Sequence, residues 1–473
     1  MKPIGLGALI LLFCPPLFGT PLTEKSIPEL IQKSPSWAQI EAGTSGQLSQ
    51  AHSSLSQFEV YGIGSVGYGE SKEDPIFQFA PIFNTTRSAS VGLKKKFKYG
   101  VSAQVEGFDE SISSTALNLS DAHRTGARVS MALDLYSNFL GRVDHSIAKQ
   151  SQASIKIAKH YDGFNKNKLT AETRKLYWAY VSANQSKTLL KSLLKTAEQQ
   201  LNEISKKTRV GAADRGDLAR ARSLVSSRKT QLSLYEFQEI QIFKAIKRLL
   251  PSVSEVDTGE QTESLQKALS CILEISQLEN PPESSLSEIA DLLKEQQKYS
   301  LREAKTTSDV DLKLTGQYES NAVGNSFSNS YNEFSNHGKQ AYQVGVALEI
   351  PLSGEKRELE RSRVRLAEQK FNSEIQAIDQ NLKESHRAAK QNIRLLAEAL
   401  KEQKSSIENL DISLSSARTK FSQARISLRD YIYEQDKVFQ SRIEEIQTKQ
   451  QMINEVLDYI EVFDKFQCSF KSL

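Results

Sequence analysis

The chain is poor in the residues that carry out chemistry. Its 473 positions hold 3 cysteines, 3 methionines, 2 tryptophans and 6 histidines. The histidines stand singly, with no pair at metal-ligand spacing, and no P-loop, zinc-ligand or nucleophile-elbow pattern occurs. No convergent acid, base, nucleophile and orienting group can be assembled, so an enzyme is not expected, nor a bound metal or cofactor. Charge of one sign is also missing. The 61 basic and 57 acidic side chains are mixed along the chain, for a net charge of +4. That argues against the basic stripe of a nucleic-acid-binding protein. Beyond the first residues there is no run of about 18 apolar residues, so no membrane-crossing helix is expected.

What is present begins with Lys2, an apolar run from Ile4 to Phe13 and the segment CPPLFGTPL. This reads as a secretory leader over 1–20, too short to span a bilayer and cut near Gly19 or Thr20. Cys14 does not read as a lipidation site, because Phe13 before it is bulky and Pro15 follows. Cleavage leaves Cys271 and Cys468. An oxidising compartment permits their pairing, but spacing cannot establish it, and the reading favoured here is two unpaired buried thiols. An exported chain without a spanning helix is soluble, lipid-anchored or a β-barrel.

Gly62, Gly64 and Gly67 spell G-x-G-x-x-G. A dinucleotide cradle needs a strand before these glycines and a helix after them. Here a helical stretch precedes them and a proline-containing one follows. The better reading is a strand over 58–69 with Phe58, Val60, Gly62, Gly64, Val66 and Tyr68 on one face. The same two-residue alternation recurs in 128–137, 309–319 and 341–352, and an inserted pair, 87–98 and 101–111, leaves the expected count open between four strands and six. About ten residues with one apolar and one polar face fit a transmembrane barrel strand. The polar stretches 70–86, 110–124 and 320–338 read as connecting loops.

Between the strands lie long heptad seams. One runs Leu382, His386, Ala389, Ile393, Leu396, Leu400, Gln403, Ile407, Leu410, Leu414, Ala417 and Phe421. Others occupy 176–204, 218–249 and 439–460. They contain Lys187, Arg228, Glu239 and Gln450, softer than a two-stranded coil would use. Such charges suit many helices packed side by side, or a seam that faces an aqueous lumen. The helices pair into two hairpins broken at 209–222 and 422–435. In each break a small residue precedes an aspartate by six positions, Gly211 before Asp217 and Ala424 before Asp430.

These features resemble the TolC family of outer-membrane efflux proteins, over essentially the whole mature sequence. The likeness is carried by VALEIPLSGEKRELERSRVRLAE (346–368), by the two breaks with Asp217 and Asp430, and by the plan written twice. Ile350, Pro351 and Leu352 match the family's barrel-to-helix junction, whereas the first half has Tyr136 where proline is usual. The expected fold is mainly α with a transmembrane β-barrel: long antiparallel coiled-coil hairpins, strands contributed to a trimeric barrel, and an internal two-fold repeat. Its expected divisions are a first repeat over 21–250, an equatorial linker over 251–300, a second repeat over 301–466 and a tail over 467–473.

The resemblance implies a homotrimer in the outer membrane of a Gram-negative bacterium, in contact with its lipid, with the helical part in the periplasm. It implies partnership with a periplasmic adaptor and an inner-membrane pump, for efflux or type I secretion. By position, Val210, Gly211 and Ala212, with Ala424, Arg425 and Ile426, match the adaptor-docking tips. Asp217, Asp430, Arg425 and Arg429 are the candidate gate. The competing reading is an exported coiled-coil scaffold or adhesin without a channel.

Overall fold

A computed structural model describes residues 20–71, 85–114, 119–259, 261–306, 310–350 and 355–470. Strand β1 (Thr20–Leu22) leads into helices α1 (Ile27–Gln32) and α2 (Pro35–Ser56). Four strands follow: β2 (Val60–Glu70), β3 (Thr85–Lys96), β4 (Val101–Ser114) and β5 (Leu119–Asp134). Helices α3 (Arg142–Arg209) and α4 (Arg215–Leu249) form the first hairpin. Next come β6 (Val253–Val256), α5 (Gln261–Gln277) and α6 (Ser285–Thr306). The second half has β7 (Asp311–Gly324), α7 (Phe327–His337), β8 (Lys339–Glu349), α8 (Glu355–Ser422) and α9 (Leu428–Val462). The duplication is close: α3 and α8 each have 68 residues, and α4 and α9 each have 35. At 1.5 Å per residue the longer helices reach about 100 Å.

Packing divides the chain into two units. The first holds residues 43–161 and 288–379; the second holds residues up to 42, 162–287 and those from 380 onward. The first unit contains a six-stranded antiparallel sheet in the order β2-β3-β4-β5-β7-β8. This settles the strand count at six, and places Gly62, Gly64 and Gly67 inside β2, opposite β3. They are sheet glycines, opposite Leu93, Val91 and Ser88.

The two-residue period sorts the sheet into two faces. Val66, Val91, Tyr342 and Val344 stand on one, well exposed in the single chain. The other carries a charged network. Arg128 donates to Glu106 Oε1 and Glu319 Oε2, each at 3.0 Å, while Arg124 donates to Glu110 at 3.2 Å and also to Glu319. Both guanidiniums lie over buried Phe108, at 5.5 and 4.6 Å from its ring centre. This polar face is the more crowded of the two at its glycines. A Cβ on its Gly92 or Gly126 would meet backbone oxygens of the next strand at 2.3 and 2.5 Å, whereas one on Gly62 or Gly316 of the apolar face would meet nothing within 4 Å.

Two loop expectations need correction. Strands β4 and β5 run deep into 110–124, because His123, Arg124 and Thr125 continue the ladder opposite Ser111, Glu110 and Asp109. The segment 320–338 is partly strand and partly helix α7, which starts where Ser326 Oγ accepts from the Asn329 amide. Pro351, Leu352 and most of 70–86 lie outside the described residues.

The second unit packs the heptad seams. Leu190, Ala197, Leu382, Ala389, Ile393 and Ala417 are buried, at the positions the alternation marks. The charged seam residues do not need an aqueous lumen to account for them. Lys187 pairs with Glu239, joining α3 to α4, and Arg228 pairs with Asp436, joining α4 to α9. Each of these seam charges meets an opposite charge on a neighbouring helix.

Cys271 and Cys468 form a disulfide, which corrects the expectation of two separate thiols. Chain separation of 197 residues hides the pair in sequence, but the C-terminal segment returns to α5, where Ser469 and Ser270 hydroxyls meet at 2.6 Å. Beneath them, buried Glu24 accepts from Arg174 at 2.7 Å and from the Trp178 indole at 3.0 Å. Strands β1 and β6 pair in parallel nearby in this unit. No helix among the described residues is long and apolar enough to cross a membrane.

Candidate functional site: the hairpin tips

Both hairpins turn by the same device. The second residue after each helix adopts a left-handed backbone, φ 76° at Gly211 and φ 57° at Ala424. The next amide then bonds back across the turn, Ala212 to the Lys207 carbonyl and Arg425 to the Lys420 carbonyl, both at 2.8 Å. This six-to-one bond closes a Schellman motif and satisfies a carbonyl left over at the helix end. Glycine tolerates the conformation; alanine adopts it at a cost.

The following helices start alike too. Asp214 caps α4, accepting from the Asp217 amide at 2.8 Å, and Ser427 caps α9, accepting from the Asp430 amide at 3.2 Å. Asp217 and Asp430 are therefore the third residues of their helices rather than caps themselves. Asp430 completes a capping box by accepting from the Ser427 amide at 3.3 Å, and it also accepts the Ser427 hydroxyl at 2.7 Å. Those bonds, first the hydroxyl and then the amide, hold its carboxyl below the usual aspartate range, with a smaller contribution from the Arg429 charge. Asp217 instead pairs with Arg220 at 3.3 Å.

The structure brings the two tips together over a small core. Ile204, Ala221 and Leu428 are buried, with Leu201, Ala213, Leu218, Phe421 and Ile432 packed around them. Phe421 stacks on Tyr431 with ring centres 5.0 Å apart. Above this core the docking candidates are presented outward: Val210, Gly211, Ala212, Ala424 and Arg425 are exposed and Ile426 is half-buried. Val210 is 79% exposed. Among the described residues neither Arg425 nor Arg429 forms an ion pair with Asp217 or Asp430 in one chain, and Arg425 reaches only Gln423, at 3.5 Å. The caps Asp214 and Ser427 escaped the sequence reading, although S-x-x-D at 427–430 carries the capping-box spacing.

No protein-family model and no curated protein matches the sequence. Solved structures do. VceC, an outer-membrane protein of Vibrio cholerae, superposes with a TM-score of 0.66 over 93% of this chain and 95% of its own, at 12% identity. The Campylobacter jejuni CmeC outer-membrane channel gives 0.62 over 94% and 87%, at 14% identity. The open state of the Neisseria gonorrhoeae MtrE outer-membrane channel gives 0.60 over 93% and 88%, at 12% identity. The chain has the TolC-type channel fold. At this identity the likeness lies in the course of the backbone. The tips at 210–214 and 423–427 are the two hairpin turns of that TolC-type fold.

Proposed function

We propose that this protein is an outer-membrane channel-tunnel, a passive exit duct for substrates driven by an inner-membrane pump. The observation that carries this reading is a sheet with one apolar and one charged face, open at both edges and continued by hairpins of 68 and 35 residues. Six strands are fewer than the eight of the smallest transmembrane barrels, and bare edges invite pairing with further copies. β2 and β8 each have 11 residues and run antiparallel, so β8 of one copy fits β2 of the next. Three copies would supply eighteen strands, three times the six of one chain, the size at which a barrel leaves an aqueous channel. The apolar face then meets lipid and the Arg–Glu network lines the pore.

The tips are the proposed gate and adaptor site, with Val210 and Ile426 offering apolar contact and Asp217, Arg425, Arg429 and Asp430 repeated around the axis. Incorporation of the detergent-purified protein into planar bilayers should give discrete conducting steps and a heat-labile trimer on gels. A water-soluble chain that never conducts would overturn the channel reading and favour the scaffold. Neutralising Arg425 and Arg429 together should raise conductance at unchanged trimer yield. Unaltered conductance would leave the tips as helix caps alone.

A further inference from the structure

The outer, apolar face of the sheet is not uniform. Helix α7 folds back over it instead of projecting from its end. Ser330 is fully buried beneath the helix and its hydroxyl lies 2.6 Å from that of Thr125 on β5. Thr125 donates to Asp109 Oδ1 at 2.6 Å, and Asp109 Oδ2 meets His123 Nδ1 at 3.1 Å. This small polar knot pins the helix. The approach is close enough that a Cβ on Gly324 would sit 2.5 Å from the Ser330 amide nitrogen.

Alongside the knot, α7 overhangs a groove of 610 Å³. Its floor is made from small residues at matching heights on neighbouring strands, Gly64 opposite Val91, Val91 opposite Gly107, and Gly107 opposite Ala127. Its overhang is aromatic: Phe327 and Tyr331, one helical turn apart, are stacked with ring centres at 6.1 Å, and Phe334 lies beside them. Phe327 and Tyr331 each remain 53% exposed. Asp109, already bonded to Thr125 and His123, is the one charged residue lining the groove.

We infer that α7 and this groove hold an acyl chain of the surrounding lipid, with the helix lying at the lipid–water boundary. The inference rests on the membrane reading above, and the groove is continuous with the band of Val66, Val91 and Val344 assigned there to lipid. Acyl chain is the occupant that fits. Apart from Asp109, whose carboxylate is taken up by Thr125 and His123, the described lining offers small side chains, hydrocarbon and aromatic rings, with no free charge to pair with a polar ligand. Asn325, Asn329, Asn332 and Asn336 recur along and just before the same helix, as a boundary helix requires on its watery side.

The test is quenching of tryptophan emission by brominated phosphatidylcholine vesicles. Tyr331→Trp reports on the groove and Val344→Trp on the plain sheet face, each read as a difference from the parent chain with its Trp37 and Trp178. Loss of emission at Tyr331→Trp equal to that at Val344→Trp is expected. Quenching at Val344→Trp without quenching at Tyr331→Trp overturns the inference and leaves the membrane reading standing. Quenching at neither overturns the membrane reading and the inference with it. Filling the groove by Ala89→Leu should lower the lipid retained per chain in native mass spectra while conductance persists. Unchanged retention would overturn the groove as the seat of the chain.

Discussion

Ala424 and Gly211 occupy equivalent left-handed positions, yet one pays a steric cost that the other avoids. Ala424→Gly should therefore stabilise the fold by at most about 1 kcal/mol and Gly211→Ala should destabilise it by about 1 kcal/mol, read as a slightly higher and a lower thermal midpoint. Space is not the issue at Gly211, where an added Cβ would meet nothing within 4 Å. A second residue-scale expectation concerns His386, a seam position that is buried, with Nδ1 2.9 Å from the Tyr459 hydroxyl. Burial, and then the Lys390 charge, push its folded pKa below the ordinary 6.5. The unfolded chain then binds the proton more readily, so stability is complete above that value and is lost as pH falls through the folded one. Unfolding midpoints measured between about pH 7 and pH 5 should fall, and His386→Gln should flatten the fall. A midpoint that declines equally in both proteins would mean that other groups set the slope.

At the scale of elements, seams and cross-links decide how the helices hold together. Arg228 is buried while Asp436 is half exposed, so their bond is partly screened. Asp436→Ala should cost about 2 kcal/mol by leaving a buried guanidinium unpaired, whereas Arg228→Met should be close to neutral. Denaturant unfolding of the two variants separates these outcomes. The disulfide between α5 and the C-terminal segment closes a long loop, and Cys271→Ser should cost about 2–4 kcal/mol. Its loss should release the tail first, seen as faster hydrogen exchange at Phe470, whose carbonyl accepts from Arg174 at 2.8 Å. Periodicity made the long helices and six strands legible, because a heptad or a two-residue alternation persists over many residues. It could not reveal α7, an 11-residue helix rich in Asn and Ser, residues that usually mark loops. Nor could it pair Lys187 with Glu239 or Cys271 with Cys468, since partners distant in sequence leave no mark in the local pattern. At the tips, the six-residue spacing was legible and the division of labour was not. Asp217 and Asp430 share a position, but one answers an arginine and the other a serine.

For the whole molecule, the number of strands in one chain has a parity consequence. The sheet begins with β2 and ends with β8, which run in opposite directions because six is even. Any number of identical copies can then be joined in a ring without a like-directed seam. A chain contributing an odd count would bring two like-directed strands together at every junction. Gain or loss of a single strand is therefore forbidden to such an assembly, while gain or loss of a hairpin is not. The pair β3 and β4 is one such hairpin, joined by a turn of four residues between Lys96 and Val101. In the proposed ring the circumference would change only in steps of one hairpin per chain, each leaving the helical repeat of 68 and 35 residues untouched. Pore width and tunnel length would then be separately adjustable characters of the proposed assembly.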